Sequence, residues 1–274
     1  MDRDENQVSE DERAAAEAEW RRVLTEGEVS ARRARRVFGL LPASPRCKLC
    51  NAPFKSWGGA MMRLIGRRQS IKNPRYCEPC AFQHPGGAEV ELSMLFADVR
   101  GSTVIAEGMS PAEYSKLIER FYAEATDVLV REDALIDRLV GDQVVALFVP
   151  GFGGPQHAAR AIKAARSLRR RAGRLDSHGR WLPIGIGIHT GRAFVGVVKG
   201  GPEGMSDFTM LGDDVNITAR LASAAAAGEI LVSDEAATAA DQNLADLEHR
   251  QLQLKGKSVE IGVRVLRDSI PPRS

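Results

Sequence analysis

The 274-residue sequence predicts an α+β fold, a mostly antiparallel central sheet flanked by helices and preceded by a small helical four-cysteine module. Three observations carry this expectation. Beyond residue 89, short β-rich runs alternate with amphipathic stretches. Gly141-Asp142 separates two such runs, as a tight hairpin turn does. All four cysteines, Cys47, Cys50, Cys77 and Cys80, lie in the first third as two CxxC pairs. The division expected is an N-terminal module at 1–88, a main domain at 89–268 and a tail at 269–274.

The elements follow in order. An Ala-, Glu- and Arg-rich helix is expected over about Glu10 to Leu24, and a second over Ser30 to Leu40, where Ser30 can cap. His84-Pro85-Gly86-Gly87 reads as a linker. Val90 to Val99 reads as a strand. Ser110 and Glu113 have capping-box spacing around Pro111, and the helix they open places Leu117, Phe121, Ala125 and Val128 on one face. Leu135 to Val140 and Val144 to Val149 form the hairpin. Gln156 to Arg171 is a second amphipathic helix. From Trp181 to Ile188, isoleucines alternate with Gly185 and Gly187, which predicts a strand closely approached on one face. Phe194 to Lys199 should pair with Asp207 to Leu211. A helix over Val215 to Ala226, a strand over Glu229 to Ser233 and a closing hairpin within Lys255 to Val265 complete the pattern.

Composition narrows the function classes. Apolar residues make up 43% and charged residues 27%, as in an ordinary globular chain. No apolar run approaches the roughly 20 residues of a membrane span. The acidic, polar N-terminus is unlike a secretory signal, which predicts a cytoplasmic protein with reduced thiols. Net charge is only +2, but Val29 to Tyr76 holds twelve Lys or Arg and no Asp or Glu. Such a block suits nucleic acid or another anionic partner, and equally a solvated basic face.

Two chemistries stand out. Asp98 ends the first strand and Asp142 sits in the hairpin turn, so the two carboxylates can meet at the sheet's end. Paired carboxylates suit hard divalent cations. Two such cations about 3.5–4 Å apart recur in phosphoryl displacement. The CxxC pairs, 26 residues apart, suit a tetrahedral zinc site, with an iron–sulfur cluster or a thiol switch as alternatives. That spacing exceeds the usual ~15–20 residues, so the loop with Gly58-Gly59 and Gly66 must absorb the excess. His189, at a strand end, reads as structural.

Four segments in order, LFADVRGST (95–103), IDRLVGDQVVALF (136–148), GIGIHTGRAFVG (185–196) and FTMLGDDVNITARL (208–221), resemble the catalytic domain of the class III nucleotidyl cyclases. The resemblance covers about residues 89–267. It implies the ferredoxin-like cyclase fold and a head-to-tail homodimer with active sites at the interface. It implies two Mg²⁺ or Mn²⁺ per site, held by Asp98, Asp142 and the Val99 carbonyl. These would lower the pKa of the ribose 3′-hydroxyl and hold the triphosphate of ATP, giving cyclic AMP and pyrophosphate. The partner would supply Asn216 to orient the ribose and Arg220 to stabilise charge on the α-phosphate. Lys257, in preference to Lys255, matches the phosphate-binding lysine.

The base-selecting positions depart from the family pattern. Arg138 stands where adenylate cyclases usually have lysine and guanylate cyclases glutamate, and Thr209 matches a threonine variety of adenylate cyclase. Arg138 can donate to adenine N1 and Thr209 can accept from its amino group, whereas no acceptor is evident for the guanine N1 proton. ATP is therefore favoured over GTP. The alternative is a weakly active or inactive nucleotide-binding dimer whose zinc and basic module binds nucleic acid or another anionic partner.

Overall fold

A computed structural model describes residues 10–27, 29–42, 45–70, 74–81, 86–173, 182–199, 206–253 and 260–267. Helices α1 (Glu10–Thr25), α2 (Val29–Gly39), α3 (Ser56–Leu64) and α4 (Glu78–Ala81) come first. Strand β1 (Gly86–Val99), α5 (Ser102–Glu107), α6 (Pro111–Arg131), β2 (Leu135–Val140) and β3 (Gln143–Phe148) follow. Next are α7 (Pro150–Gly153), α8 (His157–Ala172), β4 (Ile184–Lys199) and β5 (Ser206–Leu211). The chain closes with α9 (Asp213–Ala224), β6 (Ile230–Ser233), α10 (Asp234–Ala239), β7 (Glu248–Gln253) and β8 (Glu260–Leu266). The sheet order is β2-β3-β1-β4-β6-β8-β7, with β5 pairing β4. The β4–β6 pair is parallel, while β1–β3, β2–β3, β4–β5, β6–β8 and β7–β8 are antiparallel.

Two compact units divide the chain: Met1–Val90 with Ala193–Leu211, and Glu91–Arg192 with Gly212–Ser274. In the second unit the local signals act as expected. Ser110 Oγ accepts from the Glu113 amide and the Glu113 carboxylate accepts from the Ser110 amide, with Pro111 at the first helical position. Helix α6 then buries Ile118, Phe121, Ala125, Val128 and Leu129. Helix α8 buries Ala158, Ala161, Ile162, Ala165 and Leu168 in the same core, against Leu95, Ala146, Phe148, Ile186 and Ile188. Gly187 is the closely approached position: a Cβ there would press on the Ala222 amide, so α9 packs directly on β4.

Several elements differ from expectation. Gly86 and Gly87 begin β1 rather than a linker, because Gly87 lies where a Cβ would meet the Val195 carbonyl at 2.5 Å. Trp181 to Ile188 and Phe194 to Lys199 are not separate strands, since β4 runs unbroken from Ile184. Its partners change along its length, β6 pairing at Ile186 to Ile188 and β5 from Phe194 onward. The first arm of the closing hairpin is Glu248–Gln253, whose polar, half-exposed alternation gives little sequence signal. Helix α5 begins at Ser102, after Gly101 in the left-handed region (φ 66) at its N-cap.

Candidate active site and four-cysteine centre

In the second unit, β1 and the β2–β3 turn place two carboxylates side by side. Asp98 lies opposite Gln143, and the Val99 amide donates to the Asp142 carbonyl at 3.2 Å. The Asp142 carboxylate neighbours that of Asp98, and its negative charge acts on it. Burial, then the Asp142 charge, hold the Asp98 carboxyl above its usual range, while Arg100 pulls the other way. Tyr122 donates to the Gly141 carbonyl at 2.7 Å and steadies the turn. Neighbouring carboxylates repel each other, and a divalent cation between them removes that repulsion, so the pair fits a hard cation.

Sequence reasoning missed Arg100. Its Nη2 donates to Asp98 at 2.6 Å and its Nη1 to the Ser223 carbonyl at 3.0 Å. An arginine two residues after a strand-end aspartate gives no sequence signal for either contact. Arg138 is half-exposed on β2 and donates through Nε to Asp137 at 2.8 Å. The β2–β3 register shifts between Ile136 and Arg138, and a bulge re-aims the side chains around it. Asn216 and Arg220 lie one helical turn apart on α9; Asn216 is exposed, and Arg220 Nη1 is buried with no hydrogen-bond partner. An unsatisfied buried guanidinium nitrogen fits an incoming anionic oxygen.

Thr209 lies in the first unit, on β5 opposite Gly196. Lys257 and Lys255 lie outside the described residues. His189 is buried, with Nδ1 2.8 Å from Ser233 Oγ and Nε2 3.4 Å from Asp214, as a structural histidine would be.

In the first unit, two knuckles bring the cysteines together. The isolated bridges Arg46–Pro53 and Gln69–Cys77 frame them. The Cys47 amide donates to the Ala52 carbonyl at 2.9 Å, Asn51 turns the chain with φ 61, and the Cys80 amide donates to the Cys77 carbonyl at 2.9 Å. All four sulfurs lie within 4.8 Å of one another. Tetrahedral zinc, with bonds of about 2.3 Å, needs sulfurs ~3.8 Å apart, so the cluster can hold such a metal. The Cys50 thiol is lowered to about 7, chiefly by its hydrogen bond with Cys47, while Cys80 is raised by hydrogen bonds with Cys47, Cys50 and Cys77. Helix α3 absorbs the long spacing between the pairs.

Much of the basic stretch is used internally. Arg35 donates to the Leu49 and Lys48 carbonyls, and Arg46 to those of Phe38, Asn51 and Leu41. Lys48 and Arg75 both pair with Asp207. Among the described residues no helix is long and apolar enough to cross a membrane.

Fold and site together define an α+β domain with paired carboxylates at the end of its sheet. The model of the adenylate and guanylate cyclase catalytic domain matches residues 88–265, and the chain belongs to that family. Among solved structures, the adenylyl cyclase CyaB from P. aeruginosa is similar at 27% identity and TM-score 0.58, over 69% of this chain and 99% of that one. The guanylyl cyclase Cya2 is similar at 28% identity and TM-score 0.57, over 69% and 98%. Adenylate cyclase 1 of Rhizobium meliloti is 32% identical over 136 residues, 48% of this chain and 20% of that protein. The chain spans under a third of the length of the curated relatives it matches.

Proposed function

We infer that the chain is an adenylate cyclase, converting ATP to 3′,5′-cyclic AMP and pyrophosphate at a homodimer interface. The observation that carries this reading is the Asp98 carboxylate at the end of β1, beside the β2–β3 turn that holds Asp142, in a cyclase-family domain. Asp98, Asp142 and the Val99 carbonyl are the proposed ligands of two Mg²⁺ or Mn²⁺ ions. Bound there, the ions lower the pKa of the ribose 3′-hydroxyl and neutralise the triphosphate. Arg100 holds the Asp98 carboxylate in place. Asn216 of the partner subunit orients the ribose. Arg220 of the partner subunit donates to the α-phosphate, where charge builds as the 3′-oxygen bonds to phosphorus and the bridging oxygen leaves with pyrophosphate. Arg138 and Thr209 read the adenine, and Lys257 binds phosphate.

On the same reading, residues 89–268 are catalytic and residues 1–88 are a regulatory module holding a structural Zn²⁺ on Cys47, Cys50, Cys77 and Cys80. The protein then works in the cytoplasm, where the thiols stay reduced.

The test is a cyclase assay with ATP or GTP and Mn²⁺. Cyclic AMP should form, and Asp98→Ala or Arg220→Ala should each cut the rate by about 100–1,000-fold or more. Mixing those two inactive variants should restore activity, because a mixed dimer keeps one intact site. Cyclic GMP as the main product would overturn the substrate assignment. No recovery on mixing would overturn the shared site.

A further inference from the structure

Helix α3 carries a feature that neither the cysteines nor the cyclase chemistry uses. Gly58, Gly59 and Met62 form its buried side. The opposite side is also apolar: Trp57, Met61, Leu64 and the following Ile65 are 62%, 42%, 88% and 56% exposed. These positions are spaced i, i+4, i+7 and i+8, so they form one stripe. Scattered exposed apolar residues are ordinary, but a contiguous stripe on a helix already buried on its other side marks an interaction surface.

The surrounding charge indicates what covers the stripe. Lys55 precedes α3, Arg63 lies in its last turn and Arg68 follows, all three exposed. No acidic residue occurs between Val29 and Tyr76. Phosphates of a nucleic acid would use the cations but leave Met61, Leu64 and Ile65 in water. A bilayer with anionic headgroups takes both sets, apolar side chains at the acyl boundary and cations at the phosphates. Tryptophan favours that boundary.

We propose that α3 docks the protein onto an anionic lipid surface, with Trp57, Met61, Leu64 and Ile65 inserted and Lys55, Arg63 and Arg68 at the headgroup phosphates. This surface does not depend on the cyclase reading. It is an interfacial contact, in which α3 lies along the membrane plane.

The test is co-sedimentation of the full chain with phosphatidylcholine vesicles, with and without phosphatidylglycerol. The protein should bind the phosphatidylglycerol vesicles, less so at high salt. Its tryptophan emission should shift to the blue, and Trp57→Phe should remove that shift. Leu64→Glu should weaken partitioning by at least ~10-fold while bound metal and melting temperature stay unchanged. Failure to bind, or binding that Leu64→Glu leaves intact, overturns the proposal. So does a DNA fragment or a second copy of the chain that binds through the same stripe when vesicles do not.

Discussion

The two units are held together by different means. The second rests on apolar clusters: in one, Leu95, Leu129, Phe148, Ile162, Leu168, Ile186 and Ile230 are almost wholly buried, and in another, Leu221, Leu231, Val263 and Val265. The first buries Cys47 and Cys77 and also a whole arginine, Arg35, which is 1% exposed and donates to the Leu49 and Lys48 carbonyls. Arg46 ties three further carbonyls. Beside buried Leu24, Phe54, Met62, Phe208 and Met210, the first unit therefore draws on thiols and on polar cross-links to the backbone. On the zinc reading, the first unit's stability should follow metal bound at the four cysteines and the second's its packing.

The largest expected effect tests that directly. Stripping metal from Cys47, Cys50, Cys77 and Cys80 with a chelator should remove on the order of 10 kcal/mol from the first unit. Amide exchange should then become fast around Cys47 and Cys77, while Leu95, Ala146 and Ile186 stay protected. Equal loss in both units would end the distinction.

The converse comes next. Phe148→Ala should cost the second unit about 3–5 kcal/mol by leaving a cavity in its core. Bound metal should not change. Thermal melting with metal analysis of the same sample checks both.

The smallest effect concerns a polar cross-link that the second unit also has. Glu229 is buried, and it accepts from Arg250 at 2.9 Å, Arg267 at 2.6 Å and the Ala226 amide at 3.0 Å. Burial alone would raise its pKa, but Arg250, the Ala226 amide and Arg267 together lower it from 4.5 to about 2. A lowered carboxylate pKa stabilises the fold fully above 4.5, and that contribution is lost as pH falls towards 2. Glu229→Gln should therefore cost roughly 1.5–3 kcal/mol at neutral pH and progressively less between pH 4.5 and 2. Melting curves across that range decide. A constant difference would mean that Glu229 acts through packing alone.

Legibility in the sequence followed the range of the forces. The Ser110–Glu113 capping box and the Gly141-Asp142 turn are written within four residues, and both formed as read. Gly185 and Gly187 announced a close approach, and α9 supplies it. Helix α3 was hidden because its Gly58-Gly59 pair reads as loop, although the burial of both glycines on the helix's inner side is what lets it pack. Strand β7 was hidden because an edge strand of polar residues has no apolar period. In the candidate site, the two aspartates were singled out by residue type and position, and Asn216 and Arg220 by the cyclase resemblance. Arg100 and the Asp137 bulge were not, since each depends on what a neighbouring strand or helix presents.

By itself, the sequence marked the candidates: two aspartates at strand and turn positions, four cysteines in two pairs and, through the cyclase resemblance, an Asn and Arg one helical turn apart. Only the tertiary structure decided that Asp98 lies beside the turn that holds Asp142, 44 positions on in the sequence, and that four sulfurs fall within 4.8 Å. It also decided that Arg220 keeps a buried nitrogen unsatisfied, and that the apolar side of α3 opposite Met62 stays uncovered. The reason is physical. Caps and turns are set by neighbours along the chain, whereas proximity across a sheet and exposure of a face depend on how the whole core is buried.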